Sequence, residues 1–258
     1  MRILVVGDVV GRVGRQMLSG YLGKVRERYG ADFAVVNCEN AAGGFGVTRE
    51  VVEELFAAGA DVLTSGNHVW HRPEGVALLG EEPHMLRPAN YPEGTPGRGM
   101  LSLDVKGKPL AVINLMGRVF MPPQECPFRA ADRLLLQLPP EVKTIVVDFH
   151  GEATSEKMAM GWFLDGRASA VVGTHTHVQT ADERVLPRGT AYLTDVGMTG
   201  PADSVIGVKR EAAIQKFLTG LPRRFEPASG EGQFNAALVE VDPATGRAKQ
   251  MARINFRG

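Results

Sequence analysis

Short, strongly apolar runs alternate with longer amphipathic stretches along this chain, and that alternation limits its fold more than any other feature. The runs "ILVVG" from Ile3, "FAVVN" from Phe33, "DVLTS" from Asp61, "LAVINL" from Leu110, "TIVVDF" from Thr144 and "SAVVGT" from Ser169 read as strands. Between them, residues 12–28, 48–58, 128–138 and 154–164 carry helical spacing. Thr48, just before "REVVEELFAAG", predicts an N-cap, with Gly59 as the stop. Strands alternating with helices imply an α/β fold with mainly parallel strands. The character changes toward the C-terminus. "RVLPRGTAYLTDVG" and "FNAALVEVDPATGRAKQMARINF" read as hairpins, the second turning around "DPATGR". The Pro- and Gly-rich stretch "RPANYPEGTPGRG", residues 87–99, is expected to be a surface loop inside one domain rather than a linker. With no repeat, low-complexity segment or charge block to divide it, the chain is expected to form a single domain over 1–258.

Composition excludes several classes. Apolar residues make up 44% of 258, which suits a globular fold and not a disordered one. Lys+Arg and Asp+Glu both total 29, so bulk charge does not hold this chain to nucleic acid or to a membrane, although a local phosphate site remains open. Cys38 and Cys126 form no C-x-x-C motif and no disulfide framework, which suggests a reducing compartment. "MRILVVGDVVGRVG" is interrupted by Asp8 and reads as a first strand rather than a signal peptide. No run approaches the roughly 18 apolar residues of a membrane helix, so a cytoplasmic location is expected. A homo-oligomer is the default expectation at this size.

The polar residues that follow the strands carry the chemistry. In open α/β sheets, ligands bind beyond the carboxyl ends of strands. The first strand ends at Gly7-Asp8 and the second at Asn37-Cys38-Glu39-Asn40. The third ends at Ser65-Gly66-Asn67-His68, "TIVVDF" at His150-Gly151-Glu152, and "SAVVGT" at His175-Thr176-His177. Any one of these groups alone is explained by a cap or a turn; five together are not. Asp8, Glu39, Asn40, Asn67, His150, His175 and His177 make a mixed oxygen and nitrogen set. Such a set suits Mn, Fe, Co or Zn, is too nitrogen-rich for Ca or Mg, and lacks thiolates. It is too large for one catalytic ion with open positions and matches two ions that share a carboxylate. Cys38 adjoins the set but is expected to pack inward, by alternation with Glu39.

The order "GD", "GNH", a later histidine and "GTHTH" resembles the motifs of the calcineurin-like metallophosphoesterases, D-x-H, G-D-x-x-D, G-N-H-[DE], H and G-H-x-H. The chain departs from that pattern twice: Asp8-Val9-Val10 lacks the first histidine, and "NCENAAGG" replaces G-D-x-x-D. Both departures match the YmdB-type cyclic-nucleotide phosphodiesterases, in which the bridging carboxylate is a glutamate followed by an asparagine. "GDVVGRVGR", "NCENAAGG", "TSGNHVW", "DFHGEATSEK" and "GTHTHVQTAD" fit that branch, over nearly the whole chain.

The resemblance implies a sandwich of two mixed β-sheets flanked by helices. It implies two transition-metal ions, iron or manganese, with Glu39 bridging both. Asp8, Asn40 and His177 would complete one site, and Asn67, His150 and His175 the other. His68 would be the proton donor and not a ligand. The substrate implied is a small-molecule phosphodiester, above all a 2′,3′-cyclic nucleotide, attacked by a hydroxide that bridges the metals. A general metal-dependent phosphatase is the nearest alternative. A non-catalytic nucleotide-binding α/β module is the alternative from another class, suggested by "ILVVGDVVGRVG". Its glycines, at 7, 11 and 14, do not form G-x-G-x-x-G, and it leaves Asn67, His150, His175 and His177 unexplained. His71, three residues beyond His68, is a candidate substrate contact or supporting residue. His84 is read as structural, and Trp70 and Trp162 as core.

Overall fold

The computed structural model describes residues 1–258. Two β-sheets lie face to face, with helices on both outer surfaces. The chain runs β1 (Arg2–Val6), β2 (Asp8–Val9), α1 (Gly11–Tyr29), β3 (Phe33–Asn37), α2 (Arg49–Ala57), β4 (Val62–Thr64) and α3 (Pro73–Glu81). It then builds the second sheet through β5 (Met100–Asp104), β6 (Pro109–Met116), α4 (Pro127–Gln137), β7 (Thr144–His150), α5 (Thr154–Phe163), β8 (Ala170–Thr174), β9 (Arg184–Val185) and β10 (Ala191–Leu193). It returns to the first through β11 (Met198–Pro201), α6 (Arg210–Thr219), β12 (Gly232–Val241) and β13 (Ala248–Arg257). One sheet has the order β2-β11-β12-β1-β3-β4, with β13 beside β12; the other has the order β5-β6-β7-β8-β10-β9. Both are mixed. β1, β3 and β4 are mutually parallel, as are β6, β7, β8 and β10, while β12, β13, β5 and β9 run antiparallel to their neighbours.

Period-two alternation explains the layering. In β1, Ile3 and Val5 point into the core between the sheets, where they meet Val112, Val146 and Val172. Leu4 and Val6 point the other way, onto Leu18, Leu22 and Leu55 of the helices. The second sheet repeats the device, with Ile113, Val147 and Val171 facing the helices beside Met160 and Leu164. Strands buried on both faces read as continuous apolar runs, which is why these were legible in the sequence.

Local signals set the ends. The Thr48 side chain accepts from Val51 N–H at 3.4 Å, and Gly59 stops the helix with φ at 108°. Both hairpins form, and the "DPATGR" turn is closed by Gly246 N–H to Asp242 O at 2.8 Å. Several elements lay outside the sequence reading: α3, α6, β5 and β11. Gly75 and Gly80 interrupt the apolar spacing of α3, and α6 buries only Ala213, so neither carries a strong stripe. Residues 87–99 are a surface loop only in their second half. Arg87 and Asn90 are buried, and Asn90 bonds both Met116 O and Met116 N–H. Trp162, read as core, is 51% exposed with Arg184 over its ring, because it faces away from the sheet side of α5. Trp70 packs against the helix-side core as expected. No helix is long and apolar enough to cross a membrane.

One buried ion pair ties α5 to the site end of the second sheet. Lys157 Nζ lies 2.6 Å from Asp195 Oδ2, both fully buried. Asp195 also accepts from Thr176 N–H (3.2 Å), Thr176 Oγ1 (2.7 Å) and Gly197 N–H (2.7 Å). Removing one member leaves an uncompensated buried charge, at about 3–5 kcal/mol. Lys157→Ala is therefore expected to lower the free energy of unfolding in urea by about that amount. A loss below about 1 kcal/mol, the usual worth of exposed ion pairs, would rule this out.

Candidate metal centre

The parallel strands of both sheets end on the same side of the molecule, so five strand ends converge. Asp8, Glu39, Asn40 and His150 are buried; Asn67, His68, His175 and His177 are half-buried. The seven expected ligand residues gather there in two groups. Glu39 Oε1 lies 3.0 Å from His150 Nε2, which also faces Asn67 Oδ1 at 3.1 Å and His175 Nδ1 at 3.0 Å. Glu39, His150 and His175 can together hold a metal ion. In the second group His177 Nε2 lies 3.6 Å from Asp8 Oδ1 and 3.2 Å from the Asn40 amide. Glu39 adjoins this group too, with Oε1 3.4 Å from Asn40 Nδ2.

The outer hydrogen bonds dictate which ring nitrogens face inward. Thr174 Oγ1 donates to Asp148 Oδ1 at 2.7 Å, so toward His150 Nδ1, at 2.9 Å, it can only accept. His175 Nε2 faces the Glu152 carboxylate at 3.2 Å, and His177 Nδ1 faces Ile206 O at 2.8 Å. Carboxylate and carbonyl oxygens only accept, so each outer nitrogen carries the proton. The second nitrogen of each ring thus turns inward, toward carboxylates and an amide oxygen, where it takes up a proton or a metal ion. A set made of acceptors is satisfied only by a cation. The same lack appears at Asp8 Oδ1, buried with no hydrogen-bond donor. Asn40 differs from the expected ligand in one respect: its amide nitrogen, not its oxygen, faces His177. A half-turn of the amide exchanges the two atoms.

Electrostatics report the same demand. Burial disfavours charge on His177, but the Asp8 carboxylate outweighs it and lifts the ring to about 9. Burial likewise opposes charge on His150, and Glu39 raises it nonetheless. His175, pushed down to about 3 by burial and by His150, stays neutral. Against the same burial, His177 holds Asp8 far below the usual carboxylate range, and His150 lowers Glu39.

Backbone shape makes the approach possible. His175 and His177 adopt φ of 95° and 66°, the left-handed region, which aims both rings of the H-x-H pair at the centre. At Gly66 a Cβ would fall 2.2 Å from the His150 ring and 2.5 Å from Glu39 Oε2. The glycines of "GDVVGRVG" also serve close approach, but of protein to protein. A Cβ at Gly7 or Gly14 would strike the carbonyl of Gly197 or Thr199, and Gly11 packs on Pro227. That loop is therefore filled by β11 and the segment before β12, not open to a dinucleotide.

His68 stands at the rim. Its N–H donates to Glu39 Oε2 at 2.8 Å, and its ring packs edge-on against Phe45 with centroids 4.8 Å apart. Burial lowers its pKa. His71 is exposed and donates from Nδ1 to His68 O at 3.0 Å, so it braces His68. His84 lies far from the centre and bonds Asp61 O at 3.1 Å. Cys38 packs into the helix-side core. Sequence reasoning missed the outer supports Asp148, Glu152, Thr174 and the Ile206 carbonyl. Asp148 was accessible to it, since it lies two residues before His150 on the same face of β7.

Comparison with known proteins follows the same lines. The model of the YmdB-like protein family matches residues 4–254. A Bacillus subtilis (strain 168) protein named 2′,3′-cyclic-nucleotide 2′-phosphodiesterase is 50% identical over 254 residues, covering 98% of this chain and 96% of its own. A crystal structure of a hypothetical protein from Thermus thermophilus superposes with a TM-score of 0.94 at 45% identity, over 100% of this chain and 99% of that one. A crystal structure described as a novel phosphatase from Mycoplasma pneumoniae gives 0.94 at 34% identity, over 100% and 93%.

Gly66→Ala is the sharpest steric test of the centre. The added methyl group must displace the His150 ring or the strand end, at about 1–3 kcal/mol for overpacking. The variant is expected to unfold at correspondingly lower urea concentration. A midpoint equal to that of the parent would show that the strand ends are not packed as described.

Proposed function

The chain belongs to the YmdB-like protein family, and from that membership and the donor geometry we propose that it is a dinuclear-metal phosphodiesterase acting on 2′,3′-cyclic nucleotides in the cytoplasm. The observation that carries the reading is the position of Glu39, whose carboxylate adjoins both groups of acceptors. In this reading Glu39 would be shared by two transition-metal ions, iron or manganese. Asp8, Asn40 and His177 would hold one ion; Asn67, His150 and His175 would hold the other. When bound, the ions supply Lewis acidity toward the phosphate and lower the pKa of coordinated water.

The chain's own groups position and exchange protons. Thr174 with Asp148, Glu152 and the Ile206 carbonyl fix the inward nitrogens of the three imidazoles. His68 is held by Glu39 through its backbone and by Phe45 and His71 through its ring, so its position is set while Nε2 stays free. A proton on that nitrogen passes to the departing ribose oxygen as the P–O bond breaks. Burial lowers the His68 pKa, so the protonated ring is a stronger acid but is populated for less of the time. The phosphodiester carries a single negative charge, and a formal net charge of zero adds no bulk attraction for it.

The dinuclear reading predicts close to two transition-metal ions per chain in protein purified without chelator, measured by elemental analysis. Glu39→Gln removes the charge shared by both ions and is expected to lower that content and abolish hydrolysis of every substrate. A wild-type content near one or zero would refute the two-ion reading.

His68→Ala separates acid from ligand. It is expected to keep the metals and to slow cleavage of 2′,3′-cyclic nucleotides about 10²–10⁴-fold, the usual worth of general acid catalysis. The loss should be smallest with bis-p-nitrophenyl phosphate, whose leaving group needs little protonation. Equal losses for good and poor leaving groups would remove His68 from the donor's role. In the same assays, phosphomonoesters hydrolysed much faster than any cyclic or linear diester would make the protein a general phosphatase instead.

A further inference from the structure

The pocket in front of the histidines has two unlike kinds of lining, polar and apolar, and the proposed chemistry uses only the polar one. It encloses about 470 Å³, within the roughly 300–1,000 Å³ of small-molecule sites. The polar residues that line it, among them Asn40, His68, Glu152, His175 and His177, belong to the centre. The rest of the lining includes Val10, Phe45, Ile206, Val208, Phe225 and Pro227, an apolar wall with no charged or amide side chain. A phosphodiester group is hydrophilic on every side, so this second wall has no use for it.

We propose that the apolar wall receives the base of the nucleotide whose phosphate lies at the centre, with Phe45 and Phe225 as the stacking residues. The inference rests on the phosphodiesterase reading and adds to it the contacts that select a nucleotide over other diesters. Phe45, from the loop after β3, is braced by His68 and His71, and 37% of its surface remains open. Phe225, from the segment between α6 and β12, is backed by Lys216 Nζ, 4.8 Å above its ring.

Ile206 locks the wall to the centre. It sits at φ 48°, a strained conformation for a β-branched residue. That conformation turns its carbonyl onto His177 Nδ1 at 2.8 Å while its side chain lines the pocket. One residue thus fixes the separation between base wall and phosphate centre. Phe45 and Ile206 stand on different loops, far apart in the chain, so the base lies between elements that the fold, not a single loop, brings together. A wall without side-chain donors or acceptors recognises a base by its face and not its edge. All four bases are therefore accepted, and the larger purines bind more tightly.

The test compares wild-type, Phe225→Ala, Phe225→Leu and Phe225→Trp holoenzymes on 2′,3′-cyclic AMP and on 1-O-methylribose 2′,3′-cyclic phosphate, which keeps the reacting ring and lacks the base. Phe225→Ala is expected to raise KM for cyclic AMP about 5- to 150-fold, the worth of one base–aromatic stack, with kcat little changed. The base-free substrate should lose much less. Phe225→Trp should restore KM and Phe225→Leu should not. Metal content and thermal melting report whether each variant folds, and Phe225→Leu, which keeps an apolar side chain but no ring, replaces Phe225→Ala if that variant does not. The same factor of loss with and without the base overturns the base wall and leaves the phosphodiesterase reading standing, as does rescue by leucine. A wild-type enzyme that hydrolyses phosphate esters but neither cyclic substrate overturns both.

Discussion

At the meeting point of the two sheets, hydrogen-bond acceptors outnumber donors and crowd together. His150 Nε2, His175 Nδ1, Asn67 Oδ1 and Glu39 Oε1 lie about a hydrogen bond's length apart, and Asp8 Oδ1 is buried without a partner. In a low-dielectric interior such an arrangement is unfavourable unless a positive charge occupies it. The rest of the site is organised around that need. Outer acceptors hold the imidazoles so that the second nitrogen of each ring points inward, and the raised pKa values of His150 and His177 express the same demand for a cation.

The fold meets the cost of this arrangement through rigidity. Each inward side chain stands at the end of a strand buried on both faces, so the backbone beneath it is fixed by ladders and by three apolar layers. Glycine permits what side chains would block. Gly66 lets His150 and Glu39 close together, and Gly7 and Gly173 let the strand ends approach the Gly197 and Thr194 carbonyls. The buried pair of Lys157 and Asp195 then holds the H-x-H turn, through Thr176, in its strained left-handed conformation. Such strain persists only where the surroundings over-determine it.

In the proposed reading, function follows from the contrast between the polar and the apolar lining of one pocket. The polar side concentrates cation-binding groups; the apolar side offers aromatic and aliphatic surface. A substrate with a charged phosphodiester at one end and a flat, weakly polar ring at the other satisfies both at once. Ile206 belongs to both sides, since its carbonyl supports His177 and its side chain lines the apolar wall. Changes in the segment between β11 and β12 therefore bear on binding and on the centre together.

Much of this was legible in the chain itself. The apolar runs of β1, β3, β6, β7 and β8 marked the strands, because burial on both faces leaves no room for polar interruption. The polar residues following them marked the site, because the ends of parallel strands cannot be paired away within the sheet. Thr48 and Gly59 set the limits of α2 through local backbone chemistry alone. Elements held by tertiary contacts were not legible: α3 and α6 lack strong stripes, and β11 exists only by pairing with β2 and β12. Nor could the sequence show which residues support the imidazoles or wall the pocket. Asp148, Glu152, Ile206 and Phe225 acquire those positions from strands and loops far apart in the chain. Residue order determines which groups reach the strand ends. Only the packing of one sheet against the other decides which of them meet, because that distance is set by side chains from both sheets at once.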